Sequence, residues 1–324
     1  MTDRDAIWGA DAEKTLRKGD AVMKKYAVLD IGGTTIKYGC VTENGHFLLK
    51  GTRPTLAREE GSEGIVRKVV EIVDTIGRQG VLSGVAIDSA GIVKPGFAGE
   101  IIFAGEASFP GYSGTKLASR VTEATGLPCY LENDVNAAAL GEYWQGAAQG
   151  AASVFMATVG TGLGGCFLLD GRVWHGARYS AGELGFLRLH GEKRILEDLA
   201  STRALIREVS FTHNVSPAEL SGEQIFLWAK QGDEDALLAI RDMAAAITEG
   251  LSAVCCLLNP EVIVLGGGVM AQQELLQPFI EQQLDTLVMP AMRAGTRLTF
   301  AGLGNDAGML GALYAFLQAD ASRL

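Results

Sequence analysis

The stretch "VLDIGGTTIKYG", residues 28–39, has half the features of a phosphate cradle. A P-loop requires Gly-x-x-x-x-Gly-Lys-Ser/Thr, with a helix opening at the lysine. Here Gly33 is followed by Thr34, Thr35, Ile36, Lys37 and Tyr38, a β-branched and aromatic run that reads as a strand. The glycine-threonine turn therefore joins two strands, and Asp30 stands at its mouth. Working outward, "YAVLDIGG", "TTIKYGCVT" and "GHFLLKG" form a meander whose second turn is marked by Asn44-Gly45.

The same layout returns in "SVFMATVGTGLGGCFLLDGRVW", residues 153–174. An apolar strand enters a Gly/Thr turn, a second strand leaves it, and Asp170-Gly171 turns into a third. This is an internal repeat of one supersecondary unit, and it sets two glycine-threonine turns facing each other across a cleft. Gly160, Gly162 and Gly165 match G-x-G-x-x-G, but a dinucleotide-binding fold needs a helix next, and "CFLLDGRVW" is a strand.

Between the repeats, "SEGIVRKVVEIVDTIGRQG" carries Ile65, Val66, Val69, Val70, Val73 and Ile76 at helical spacing. "GVAIDSAG" is a short strand, Val93 to Gly114 a Gly- and Pro-rich loop, "TKLASRVTEATG" a helix, "LPCYLEN" a strand and "DVNAAALGEYWQGA" a helix. Beyond Asp198 the chain is mostly helical: "LASTRALIREVS" reads as one helix, followed by "GEQIFLWAKQG" and "EDALLAIRDMAAAITEGLSAVCCLLNP". The last is apolar on nearly all sides around Val254–Leu258, which predicts burial there. "EVIVLGGGVM" is a core strand running into three glycines. The helix "QQELLQPFIEQQL", the strand "RLTFAGLG" and the helix "DAGMLGALYAFLQA" close the chain.

Of the 324 residues, 48% are hydrophobic and 20% charged, the balance of a globular protein with a full core. A net charge of −10 argues against a broad nucleic-acid surface. The cysteines, 40, 129, 166, 255 and 256, are odd in number, form no C-x-x-C pair and mostly lie in apolar runs, so buried reduced thiols are expected. No apolar stretch long enough to span a membrane and no signal-peptide pattern is evident, which makes the cytoplasm the expected location and a membrane partner unexpected. Residues 1–23 are polar and read as a flexible tail, with a short helix around Asp11–Arg17.

The candidate chemistry follows from the turns. Backbone N–H groups of glycine turns make concave donor sites for phosphate oxygens, and threonine hydroxyls add donors. Gly32, Gly33, Thr34 and Thr35 serve one phosphate, and Gly160, Thr161 and Gly162 another. Gly266, Gly267 and Gly268, between a buried strand and a helix, leave backbone room for a flat ligand such as adenine or ribose. Asp30, expected to stand without a basic neighbour, would hold waters of a Mg²⁺ that bridges the phosphates. Lys37 reads either as a phosphate contact or as a solvated strand lysine. Glu132, Asn133 and Asp134 end a strand and open a helix; there Asp134 is either a helix cap or a general base facing the cleft. Asn133 offers a donor and an acceptor to a sugar hydroxyl. Glu183 sits in a glycine-flanked turn suited to vicinal hydroxyls. Glu197 and Asp198 stand at a helix start, where the dipole favours acids.

Taken together, "DIGGTTIK", "LENDVNAAALGE", "VGTGLGG", "AGELGF" and "VIVLGGGV" resemble, in order and spacing, the ROK family of repressors, open reading frames and sugar kinases, over about residues 24–318. The resemblance implies an α/β fold, the actin-like (RNase H-like) sugar-kinase duplication, with two lobes around a nucleotide cleft. Residues 24–138 plus 305–324 would form a small lobe and 139–304 a large one. It implies ATP and Mg²⁺ as cofactors, Asp134 as general base, and Asn133, Glu183 and Glu197 as sugar ligands beside it. It also implies both glycine-threonine turns as phosphate loops, and a homodimer as the common assembly. The chain departs from the family at Phe186, where most members place a histidine that precedes a C-x-C-G-x-x-G-C zinc cluster. "LRLHGEKRILEDLAS" has no cysteine, and His190 alone cannot make a tetrahedral site, so no zinc is expected. Zinc-free members include kinases of β-glucosides and related hexoses. The implied activity is transfer of a phosphoryl group from ATP to a primary sugar hydroxyl, the 6-OH of a hexose or β-glucoside. N-acetylmannosamine, another amino sugar or allose is the alternative acceptor. A sugar-sensing regulator is the reading from another class, set against the 23 residues ahead of Lys24, where ROK repressors carry a winged helix-turn-helix. An actin-like scaffold would need neither the Glu-Asn-Asp nor the Gly-Glu motif.

Overall fold

The computed structural model describes residues 23–323, so the expected tail and its short helix lie outside it except for Met23. The chain builds two five-stranded sheets of one design. In the first half, β1 (Lys25–Ile31), β2 (Thr35–Thr42) and β3 (Phe47–Pro54) form the meander, and α1 (Ala57–Gly77) follows. Then come β4 (Gly84–Ser89), the hairpin β5 (Ile92–Lys94) and β6 (Glu100–Phe103), α2 (Leu117–Thr125), β7 (Cys129–Asn133) and α3 (Asp134–Gln145). The second half repeats the meander as β8 (Ser153–Val159), β9 (Leu163–Leu169) and β10 (Arg172–Val173). The helices α4 (Glu197–Ala200), α5 (Thr202–His213), α6 (Gly222–Lys230) and α7 (Glu234–Leu257) follow. The half closes with β11 (Val262–Gly266), α8 (Gln273–Leu287), α9 (Pro290–Arg293), β12 (Arg297–Phe300) and α10 (Ala307–Ala321).

Strand order is β3-β2-β1-β4-β7 in one sheet and β10-β9-β8-β11-β12 in the other. In both, the meander is antiparallel and the last two strands run parallel to the first. The duplication inferred from the two glycine-threonine turns is thus a duplication of topology. Helices α1 and α2 cover the outer face of the first sheet, and α5 to α8 that of the second. The inner faces meet through two helices: α10 lies on β1, β4 and β7, α3 lies on β8 and β9, and the helices pack on each other. Covered on both faces, β1 buries Tyr26, Ala27, Val28, Leu29 and Ile31 alike, which is why it reads as a continuous apolar run.

Several expectations are corrected. The segment 93–114 is not only loop, because it contains most of the β5–β6 hairpin; its strands are too short to show a period beside their Gly and Pro residues. The first helix begins earlier, at Ala57, and is interrupted at Gly61, where φ 58 and ψ −161 lie outside the helical region. "LASTRALIREVS" is two helices, because Ser201 is extended and its hydroxyl caps α5 by accepting from the Ala204 N–H at 3.2 Å. The end of α7 is not wholly buried: Val254 and Cys255 are, but Leu257 is 82% exposed, and Leu258 and Cys256 are exposed too. The helix passes the edge of its own core, so apolarity all round does not mean cover all round. The other four cysteines are buried and reduced. Among the described residues no helix is long and apolar enough to cross a membrane.

Candidate active site

The C-terminal ends of β1, β4, β7, β8 and β11 surround one cavity of about 700 Å³. Asp30, Lys37, Asp88 and Asp134 line it from the first half, Thr158, Gly160, Gly266, Gly267 and Gly268 from the second, and Asn305 and Gly308 from the approach to α10. The β1–β2 turn closes on itself through Gly32 N–H donating to the Thr35 carbonyl at 3.1 Å. Thr55 fastens it by donating its hydroxyl to the Gly32 carbonyl at 2.7 Å. In the β8–β9 turn the Gly160 N–H donates to the Gly162 carbonyl at 2.9 Å, and the Gly160 carbonyl accepts from Thr202 at the start of α5. A methyl at Gly160 or Gly268 would meet nothing and would project into open space, so these positions are cleared for a bound group. Gly267 has φ 96, and a side chain there would collide with the backbone of Val159, so glycine is required.

Asp134 opens α3 but does not cap it. Asn133 does, accepting at Oδ1 from the Asn136 N–H at 2.9 Å. Asn133 also donates from Nδ2 to the Gly91 carbonyl at 2.9 Å and to Asp134 Oδ1 at 2.8 Å, so its amide is committed to holding the aspartate. The same Oδ1 accepts from the Val135 N–H at 3.0 Å. Burial, with the neighbouring charge of Asp30 and a smaller push from Glu183, raises the Asp134 pKa to about 7 against the pull of the Val135 N–H. A carboxylate poised near neutrality is matched to accepting a proton from a hydroxyl.

Glu183 precedes the short turn Leu184–Phe186 and is half-buried; burial and the charge of Glu197 raise its pKa. Glu197 is less free than expected of a ligand. Oε2 accepts from the Leu163 N–H at 3.0 Å and Oε1 from Arg203 at 2.8 Å, so it braces the second glycine turn. Asp30 does have a basic neighbour, contrary to expectation. Lys37 lies opposite it in the β1–β2 register and donates to Oδ2 at 3.0 Å, and to Asn305 Oδ1 at 3.2 Å.

Some residues at the site were not singled out in the sequence. Asp88, at the end of β4, is 1% exposed, and neither of its carboxylate oxygens has a hydrogen-bond partner. A lone acid closing the apolar run "GVAID" was the available signal. His175 sets Nε2 3.2 Å from Oε2 of buried Glu132, joining the end of β7 to the loop after β10. Buried Glu142 accepts from Ala147, Gly302 and Leu303 N–H groups at 2.8, 3.1 and 2.8 Å, tying α3 to the loop before α10. Phe186 is 62% exposed, whereas Leu184, Leu187 and Leu189 pack on the second core. With Ile92, Leu257 and Leu258 it walls an apolar groove of about 700 Å³ whose lining includes Glu183. Among the described residues no group of three or more His, Cys, Asp and Glu side chains could hold a metal ion.

The family model that matches this chain is that of the ROK family, over residues 26–319. A glucokinase of Halalkalibacterium halodurans is 30% identical, the match covering 92% of this chain and 96% of that protein. A β-glucoside kinase of Klebsiella pneumoniae is 29% identical, covering 91% and 98%. The crystal structure of a ROK family glucokinase from Streptomyces griseus, in complex with glucose and AMPPNP, superposes with a TM-score of 0.77 at 30% identity, over 90% of this chain and 98% of that one.

Proposed function

The chain belongs to the ROK family and is an ATP-dependent sugar kinase with the actin-like fold; we propose that its acceptor is the primary 6-OH of a hexose, free or as a β-glucoside, and that Asp134 is the general base. The observation that carries the reading is Asp134 itself. It is held at the head of α3 by Asn133 and Val135, lines the cleft shared with the glycine turns, and is tuned to about 7. The acceptor oxygen would attack the γ-phosphorus as Asp134 takes its proton, and the bond to the β,γ-bridging oxygen would break to release ADP. N–H groups and hydroxyls of the turns at 32–35 and 160–162 would hold the phosphates, and the 266–268 glycines the nucleoside. Mg²⁺ arriving with ATP would neutralise phosphate charge, with Asp30 holding its water shell. Glu183 would take the sugar hydroxyls directly. Asn133 and Glu197 would contribute mainly by fixing Asp134 and the second turn, because their own bonds engage them.

The glycoside part of the reading is supported by the apolar groove. It begins at Glu183 and continues past Phe186, so a substituent on the reducing end of a sugar held by Glu183 has apolar cover waiting. The site is read as zinc-free, since Phe186 has no donor atom and His190 stands exposed without a cysteine in its loop. A homodimer belongs to the same reading. The test is ADP release across a panel of hexoses, amino sugars, allose and aryl and alkyl β-glucosides, with metal analysis and sedimentation of the same preparation. A β-glucoside turned over at least as efficiently as glucose is the expected result. Turnover of N-acetylmannosamine or allose above every glucoside would overturn the assignment of the acceptor, and stoichiometric zinc the metal-free reading.

A further inference from the structure

Glu132 heads the Glu-Asn-Asp run and is 1% exposed. Its Oε1 accepts from the Asn133 N–H and from Asn136 Nδ2, both at 3.0 Å. Asn136 in turn donates its N–H to Asn133 Oδ1, and Asn133 Nδ2 holds Asp134. The buried carboxylate is thus the root of the bonds that set the base. Its other oxygen, Oε2, has one partner among the described residues, Nε2 of His175 at 3.2 Å; the same nitrogen lies 3.3 Å from Oε1. A carboxylate only accepts, so Nε2 carries the proton.

The histidine comes from the other half of the chain. It stands two residues beyond β10 and opens the loop that leads to Glu183. Its carbonyl accepts from the Ala181 N–H at 3.3 Å, which closes residues 175–181 into a ring. Tyr179, at φ 61, turns its ring edge-on to the imidazole, with centroids 6.4 Å apart. Past the closure, Gly182 packs on the backbone of Gly165, and Glu183 follows. Residues 176–178 and Ser180 are exposed. Among the described residues no other side chain of 174–182 makes a hydrogen bond, so the imidazole is the polar tie between this loop and the end of β7.

We propose that His175 is a positioning residue of the sugar site, a strut that holds Glu183, on the second half, in place relative to Asp134, on the first. The proposal rests on the reading of Glu183 as a sugar ligand and Asp134 as the base. Two carboxylates that engage one sugar from opposite halves keep a productive spacing only if something rigid joins them. They are near enough for the charge of Glu183 to act on Asp134. Without the imidazole, Oε2 of a buried carboxylate loses its partner and the loop loses its root.

The experiment is steady-state kinetics of His175→Ala and His175→Gln, with sugar and ATP varied in turn, beside trypsin digestion of the same proteins without ligand. The glutamine amide can stand where the imidazole Nε2 stands; alanine cannot replace it. His175→Ala should raise KM for the sugar by at least about tenfold and leave KM for ATP unchanged. It should also be cut after the exposed Arg178 faster than the wild type, with the fragments identified by mass spectrometry. His175→Gln should recover most of both. A lower kcat or thermal midpoint with the sugar KM unmoved would make the histidine a stabilising contact alone and overturns the proposal, as does a glutamine variant no better than alanine. If His175→Ala does not fold, the double variant His175→Ala, Glu132→Gln, which buries no unpaired charge, takes its place with the same expectations. If the wild type phosphorylates no sugar, the functional reading fails by itself and the trypsin result decides on the strut: cleavage unchanged in His175→Ala overturns it, and faster cleavage reversed by glutamine supports it.

Discussion

Replacing Asp134 by asparagine separates proton acceptance from every other task of the residue. The side chains are isosteric, and Oδ1, which accepts from Asn133 Nδ2 and from the Val135 N–H, remains an acceptor in the amide. What disappears is the basic site and one negative charge beside Asp30 and Glu183. Turnover should fall by roughly 10²–10⁴, or about 2.7–5.4 kcal/mol of barrier at ~1.36 kcal/mol per decade. Stability should move the other way. The folded-state pKa of about 7 lies above the ordinary 3.8, so the folded protein keeps a proton that the unfolded chain has released. The stability this contributes is fully present below about 3.8 and is lost as pH rises through about 7. Asp134→Asn should lack that decline and be at least as stable as the wild type above neutrality. The same titration sets the acid limb of kcat/KM: below about 7 the carboxyl is protonated and activity should fall about tenfold per pH unit. The assays are coupled ADP release from pH 5 to 9, sugar binding by calorimetry, and urea unfolding at pH 5 and 8. A variant with more than about a tenth of wild-type turnover, or a wild-type acid limb below pH 5, would refute the general-base assignment.

Further outcomes are expected from the same contacts. Glu142→Ala removes the acceptor of three part-buried N–H groups, those of Ala147, Gly302 and Leu303, and should cost about 1–3 kcal/mol in urea unfolding; Glu142→Gln, which keeps one acceptor, should cost less. Gly311→Ala drives a methyl into the Ala137 carbonyl and should destabilise by at least about 3 kcal/mol in the same assay, although alanine is the better helix former. Phe186→Ala removes an exposed wall of the apolar groove and should lower kcat/KM for an aryl β-glucoside relative to glucose by about tenfold, or ~1.4 kcal/mol, without changing the thermal midpoint.

The features legible in the sequence are those set by neighbours along the chain. The turn at 32–35 could be told from a P-loop because Thr34 to Tyr38 alternate as a strand. The second copy could be found because its turns carry the same residue types at the same offsets. The Lys37–Asp30 pair is also local: counting back from the turn places the two opposite each other in the hairpin, so it was missed although it was readable. Asp88 is different. Its significance depends on β4 lying parallel to β1, a pairing made across an intervening helix, and no local pattern states which strand an acid will stand beside. The same holds for Glu197, whose bond to Leu163 joins segments 34 residues apart. Leu257 and Leu258 misled for a related reason, since apolarity records an aversion to water without saying what supplies the cover. Phe186 could be recognised as a departure from the family pattern, but only the fold sets it against the end of α7.

The contact between α3 and α10 bears on how the two halves can move. Gly311 meets the Ala137 carbonyl and Gly141 the Ala307 carbonyl, so there the helices touch backbone to backbone, and farther along Tyr314 of α10 stacks on Trp144 of α3. A seam of that kind resists sliding, because a shift along either axis brings Cβ atoms over the positions that glycine keeps clear. The head of α3 carries Asp134, and the head of α10 carries Gly308, in front of Asp88. The acidic apparatus therefore sits at the seam where the two halves are fastened, while the glycine turns at 160–162 and 266–268 and the wall at Phe186 belong to the second half. A seam so placed fastens the base, through the head of α3, to the half that carries Asp30, which helps tune it.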